Sequence, residues 1–209
     1  MDWRGAATRR YARLVTDAVT RWPALWPLLR PITRWRFDTL APHWDRIRRP
    51  GGLAALEAAL AALEEAGRVL DLGTGTGDAA VTAARRFPGA EVVGLDLAPA
   101  MVAEARRKLP PELADRVRFV AADAAALPFA DGAFDLVTLA NMIPFWDELA
   151  RVVAPGGAVA ISFGLGERTP IYVATARLQA ELGRRGFTQF ANFEVGPATA
   201  LLARKREGS

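Results

Sequence analysis

With 209 residues, half of them hydrophobic, the chain can bury one full core and is not a disordered protein. No cysteine and a single histidine exclude disulfides, thiolate catalysis and Cys- or His-rich metal centres, so no metal site is expected. Charge is uneven: residues 1–50 hold eleven arginines and four acids, net +7, whereas the remainder holds sixteen basic and nineteen acidic residues, net −3.

No apolar run approaches the ~20 residues needed to cross a bilayer. The N-terminus lacks the apolar core of a signal peptide, so a cytoplasmic protein is the expectation. Residues 8–22 fit an amphipathic helix, with Tyr11, Leu14, Val15, Ala18, Val19 and Trp22 on one face and Arg10, Arg13, Asp17 and Arg21 opposite. Pro23, Pro27 and Pro31 follow at intervals of four, which predicts a stretch broken into short turns. Trp3, Trp22, Trp26, Trp35 and Trp44 all lie in the first 50 residues. Such a Trp/Arg segment could rest on a membrane surface, pair two copies, or fold back as a lid. Burying aromatics on the chain's own core is the commoner use, and a lid is the reading preferred here. The basic excess can also attract nucleic acid. Arginine and alanine abound along the whole chain, however, and nucleic acid is not the expected partner. Residues 1–50 are therefore read as a helical arm and 51–209 as the main domain.

A helix over 52–66, apolar at Leu53, Leu56, Leu60 and Leu63, leads through Gly67, read as its C-cap, to the stretch Val69–Asp78, VLDLGTGTGD. An apolar pair, an acid and three alternate glycines predict a buried strand, a tight turn and a helix start. A dinucleotide fingerprint would place its third glycine one residue later than Gly77. Asp71, ending the strand, would repel a pyrophosphate but could hold a cation. That suits a ligand with an amino acid moiety. Glu91–Asp96 is a second strand ending in an acid, and Asp96 at its tip is placed to accept both hydroxyls of a ribose.

Strands are predicted near 68–72, 91–95, 117–121, 134–139 and 157–163, and helices near 77–86, 99–108, 144–153 and 170–185. Their alternation predicts a parallel α/β sheet covered on both faces. Residues 187–195 and 198–203 read as an antiparallel pair turned at Gly196-Pro197. Asp131-Gly132 and Pro155-Gly156-Gly157 read as turns.

VLDLGTGTG, VVGLDLAPAMV, FVAADAAALPF, FDLVTLANMIPF and ARVVAPGGAVAISF occur in this order. Together they resemble the motifs of class I S-adenosylmethionine (SAM)-dependent methyltransferases, over about residues 37–206. Residues 37–45, FDTLAPHWD, resemble the segment that precedes the core in the small-molecule and quinone-type (type 11-like) group, with Trp44 where tyrosine is usual. The resemblance implies a Rossmann-like seven-stranded sheet in the order 3-2-1-4-5-7-6 and S-adenosyl-L-methionine as cofactor. It implies that Gly73, Gly75 and Gly77 let the cofactor's methionine part approach the backbone. Asp71 would meet its ammonium group through water, and Asp96 would take the ribose. Leu97 and Met101 would pack near the adenine, Asp123 would accept the adenine amino group, and Ala124 would offer a backbone N–H. Asn141 would border the sulfonium and the substrate.

Asp96 and Asp123 have a second reading as helix caps, since each precedes a helix or turn. His43 has the intrinsic pKa of a general base, if the acceptor needs one; a packing or surface histidine is the simpler reading. No Asn-Pro-Pro-Tyr follows the fourth strand, which departs from methylases acting on a flipped base. The acceptor walls would come from the arm, Trp44 included, with Met142, Ile143, Phe145, Trp146, Phe163 and Tyr172, which suits a small hydrophobic or aromatic acceptor. An RNA or protein methyltransferase, or a protein that binds SAM without methylating, are the alternatives.

Overall fold

A computed structural model describes residues 3–47 and 51–208. The chain opens with helices α1 (Trp3–Arg21), α2 (Trp26–Leu40) and the single turn α3 (Trp44–Ile47), joined by 3₁₀ turns at Pro23–Leu25 and Ala41–His43. The predicted apolar face of α1 is split. Val15 and Val19 are buried, with Thr16 and Thr20 beside them, whereas Leu14 and Trp22 stand in solvent. The Trp3 side chain lies outside the described residues. Proline does not fragment the next stretch as expected: α2 runs unbroken. Pro27 occupies its first turn, where an N–H would be unpaired in any case. Pro31 removes one further bond, and burial of Trp26 and Thr33 holds the helix together across that gap.

Helix α4 is shorter than predicted (Ala54–Ala61), so Gly67 is not its C-cap. Gly67 instead donates its backbone N–H to Asp135 (3.2 Å), beside the bidentate grip of Asp135 on Arg68. The remaining helices are α5 (Asp78–Arg86), α6 (Pro99–Lys108), α7 (Trp146–Val152) and α8 (Thr175–Gly183). Helix α8 starts later than predicted, after a 3₁₀ turn at Gly166–Arg168.

Five strands are parallel: β1 (Arg68–Leu72), β2 (Glu91–Asp96), β3 (Val117–Ala121), β4 (Phe134–Ala140) and β5 (Val153–Phe163). β6 (Phe187–Val195) and β7 (Ala198–Lys205) form the antiparallel hairpin, and the sheet order is β3-β2-β1-β4-β5-β7-β6. Pro155-Gly156-Gly157 is not a turn ahead of β5 but a bulge within it. The register with β4 jumps from Phe134↔Val153 to Leu136↔Ala158, and Gly156 takes φ +75°.

Apolar residues point to both faces of the central strands because helices cover both. On one face Leu56, Leu60, Ala80, Ala84, Val102 and Val69 pack together; on the other Leu70, Leu72, Val137, Leu139, Leu149 and Leu182 do. Gly94 in β2 is required by this packing. A Cβ there would lie 2.5 Å from the Phe119 ring and 2.7 Å from Thr74 Oγ1.

Candidate functional site

The strands deliver their C-terminal ends to one edge, where an open α/β sheet binds ligands. Between β1 and α5 the chain reverses through Gly73, Gly75 and Gly77, with φ of +68°, +54° and +93°, a region where a side chain would strain the backbone. The turn is anchored twice. Gly73 and Thr74 donate their N–H groups to the Leu95 carbonyl at 2.8 and 2.9 Å. Gly75 donates to Asp96 Oδ2 at 2.9 Å, while Asp96 Oδ1 accepts the Ala98 N–H at 2.9 Å. Asp96 thus ties the glycine turn to the start of α6, and loss of water around its carboxyl raises its pKa. Its capping and ligand-facing readings are compatible, since each carboxylate oxygen accepts more than one bond.

The glycines differ in what they face. Open space above Gly73 is filled by the Met142 side chain, and Trp44 Nε1 lies 3.4 Å from where a Gly75 Cβ would stand. Gly77, expected against the ligand, turns inward: a Cβ there would meet Phe119 and Ala105 at 2.9 and 3.2 Å. Its role is helix-to-sheet packing.

Asp71 is also placed differently from expectation. It is fully buried beneath the turn, in register with Gly94 on one side and Thr138 on the other. Thr138 donates its hydroxyl to Asp71 Oδ1 at 2.8 Å, and burial pushes the Asp71 pKa up to about 6. Asp71 Oδ2 and Thr74 Oγ1 are buried with no hydrogen-bond partner among the described residues. Such orphans at a ligand edge mark a place where water or a ligand group completes the bonding.

Asp123, beyond β3, is gripped by the arm. Trp26 Nε1–H donates to both of its oxygens (2.9 and 3.1 Å), Arg30 Nη1 donates to Oδ2 (3.0 Å), and the Ala125 N–H to Oδ1 (2.9 Å). Beside this cluster lies an open cavity of about 650 Å³ lined by Arg30, Arg34 and Trp35 of the arm and by Leu97, Ala122 and Asp123 of the main domain. Leu97 therefore lines open space. Met101 does not; it is buried between α6 and the arm with Ala41, Phe37 and Trp44. Ala124 is buried in the core beneath. Trp26 and Arg30 are the site residues that sequence reasoning missed. The only signal was the concentration of tryptophan in the arm.

The FDTLAPHWD segment is explained by two of its acids. Asp38 accepts the Ala100 N–H at the first turn of α6 (3.0 Å), and Asp45 lies 2.9 Å from the Thr76 hydroxyl and from Lys108 Nζ. The arm is pinned at both ends of α6 while Ala41, buried between them, allows the close approach.

On the acceptor side, Asn141 follows β4 with φ +55°, a conformation asparagine tolerates better than most residues. Its Oδ1 accepts the Gly164 N–H at 2.9 Å, tying the ends of β4 and β5 together. Met142, Ile143, Phe145 and Tyr172 are half-buried along this edge; Phe145 meets Trp26 edge-on at 5.0 Å and Tyr172 meets the buried Phe163 at 5.1 Å. Trp146, expected as a wall, is instead buried at the head of α7. His43 is exposed to solvent in its 3₁₀ turn, whereas a general base must be held against the proton it removes.

A family model described as a methyltransferase domain matches residues 69–157, the segment that carries the glycine turn, Asp96, Asp123 and Asn141. Over residues 69–157 the chain is similar to methyltransferase domains. Curated proteins similar to this chain include the demethylmenaquinone methyltransferase of Thermus thermophilus, 48% identical over 138 residues that cover 60% of this chain and 62% of the relative. The malonyl-[acyl-carrier protein] O-methyltransferase of Halorhodospira halophila is 40% identical over 141 residues, 62% of this chain and 47% of the relative. The chain thus spans about half to three-fifths of the length of these relatives. A SAM-dependent methyltransferase of Aquifex aeolicus shares the fold, with a TM-score of 0.65 at 20% identity over 79% of this chain and 98% of that one.

Proposed function

We propose that the chain is a cytoplasmic enzyme that moves a methyl group from SAM to a small hydrophobic acceptor of quinone type. The observation that carries this reading is the pairing of an acid-anchored glycine turn at Gly73 and Gly75 with an acceptor edge of Met142, Ile143, Phe145 and Tyr172, aromatic or aliphatic throughout. The quinone class rests on relatives such as the Thermus thermophilus enzyme.

The residues present fit the cofactor. The positive-φ turn leaves room for a ligand backbone, Asp96 stands at the tip of β2 for a ribose, and the cavity above Leu97 ends at Asp123 for an adenine amino group. The buried orphans Asp71 Oδ2 and Thr74 Oγ1 lie under the turn, where a water could link them to an ammonium group. Bound SAM supplies a methyl group already activated on a sulfonium. The protein's part is then alignment and exclusion of water rather than activation. Met142 and Trp44, now seated over Gly73 and Gly75, are the side chains that must give way and re-pack. Residues 1–50 act as the lid: Trp26, Arg30, Asp38 and Asp45 fasten it across the mouth. No base is assigned. A lipophilic acceptor partitions into bilayers, which makes contact between the arm and a membrane part of this reading.

Calorimetric titration with SAM, S-adenosylhomocysteine and NAD tests the cofactor, and a methyl-transfer assay on a demethylated naphthoquinol tests the acceptor. Micromolar binding of both sulfur ligands, no NAD binding and turnover of the naphthoquinol are expected. Binding without turnover would discard the acceptor class; no binding of either sulfur ligand would discard the whole reading.

A further inference from the structure

The arm is apolar on two sides, and its lid function uses one. Trp26, Leu29 and Thr33 turn toward the body of the protein. Leu14, Trp22, Leu25, Leu28, Ile32 and Trp35 turn away from it and are 37–77% exposed; elsewhere among the described residues only one large apolar side chain, Val195, stands out this far. Leu25, at the N-cap of α2, and Leu28, Ile32 and Trp35 on it are spaced three, four and three apart, which makes one stripe along this side of the arm. A helix face of this kind is covered in a working protein, and nothing else in the described chain covers it.

Its charge selects the cover. Arg9, Arg10 and Arg21 are exposed on α1, while the exposed Arg13, Arg30 and Arg34 are offset by Asp17, Asp123 and Asp38, which leaves the described arm with a positive excess. A second copy would set this arm, net +7, against itself, and like charges at close range oppose such a symmetric contact. An anionic bilayer has the opposite sign and takes up apolar stripes flanked by arginine. Trp22 and Trp35, at the two ends of the stripe, suit the headgroup level.

We propose that the outer face of the arm, through Leu25, Leu28, Ile32 and the flanking tryptophans and arginines, docks on an anionic lipid surface. This deepens the reading of the site as acting on a lipophilic acceptor and rests on it. Trp35 belongs both to the stripe and to the wall of the 650 Å³ cavity, so docking sets the membrane beside the site.

The test is co-sedimentation of the full chain with vesicles of phosphatidylcholine, with and without phosphatidylglycerol, for the unmodified protein and a Leu28→Glu, Ile32→Glu variant. Both positions are exposed, so the variant should keep its thermal unfolding curve and its SAM titration. Binding to the phosphatidylglycerol vesicles alone is expected, lowered about tenfold or more in the variant by the lost apolar contact. No binding of the unmodified protein, or equal binding of both, overturns the proposal. So does a dimer in sedimentation velocity that the two glutamates dissolve, which would give the face to a second copy. Vesicle binding by a protein that fails to bind SAM would leave docking standing and discard the functional reading.

Discussion

The indole N–H of Trp26 donates to both carboxylate oxygens of Asp123, at 2.9 and 3.1 Å, across 97 residues of sequence. Arg30 adds a third contact from the same helix. The acid just beyond β3 is thereby held by helix α2 of the arm.

Trp26→Phe should keep the ring packed against Phe145 and remove only the N–H. If the cofactor competes for Asp123, SAM affinity should rise about tenfold or more, in keeping with the ~1.5–3 kcal/mol value of a hydrogen bond to a charged group. Calorimetry reads this directly. A weaker affinity would show that the lid contact helps to hold the cofactor.

Asp96→Ala should weaken SAM binding by ~1.5–3 kcal/mol, the range for hydrogen bonds to a charged group. Because Asp96 also anchors Gly75 and Ala98, Asp96→Asn is the control. It should preserve thermal stability better than the alanine variant while still losing affinity. Unchanged affinity in both would remove the ribose assignment.

Asp71 makes stability depend on pH. Its folded pKa of about 6 lies above the ordinary aspartate value of 3.8, so the folded state binds the proton more tightly than the unfolded chain. Its contribution is fully favourable below about pH 4 and is lost as pH rises through 6. Asp71→Asn should therefore gain stability relative to the parent between pH 4 and 7, by on the order of 2–3 kcal/mol. Urea unfolding at the two pH values measures the difference; a constant difference would contradict the raised pKa.

Thr138→Val should remove the hydrogen bond that Asp71 Oδ1 receives and leave the buried carboxylate less well satisfied. A loss of ~1–3 kcal/mol at pH 7 is expected, shrinking at pH 4 where the carboxyl is protonated. The same unfolding series decides it.

Gly94→Ala should cost ~1–3 kcal/mol, because its Cβ would press on the Phe119 ring and on Thr74. Gly183→Ala, with open space around it, serves as the comparison and should be near neutral or mildly stabilising. Equal melting temperatures for the two would contradict the close approach of β2 to β3.

Periodicity and turn chemistry by themselves determined the strand and helix sequence from Arg68 to Lys205. The seven-stranded order came from the resemblance that the ordered motifs carried. These are local properties: buried parallel strands read as unbroken apolar runs, and the hairpin turn needs Gly196 at φ +57°. The tip of β2 was legible for the same reason, since Asp96 follows an apolar run and ends the strand, whereas Asp71 lies one residue inside β1. What each acid touches was not. Asp71 and Thr138 are 67 residues apart, and only strand pairing brings them together. Gly77 and Gly73 look alike in sequence, yet the first faces Phe119 and the second Met142, because the turn rotates the backbone between them. The arm was least legible of all. Three prolines suggested broken turns, but one fell in the first helical turn and another removed a single bond that burial of Trp26 and Thr33 outweighed. A helix with two apolar faces has no pattern that says which face turns inward, and that choice was made by the tertiary contacts of Trp26 and Arg30 with Asp123.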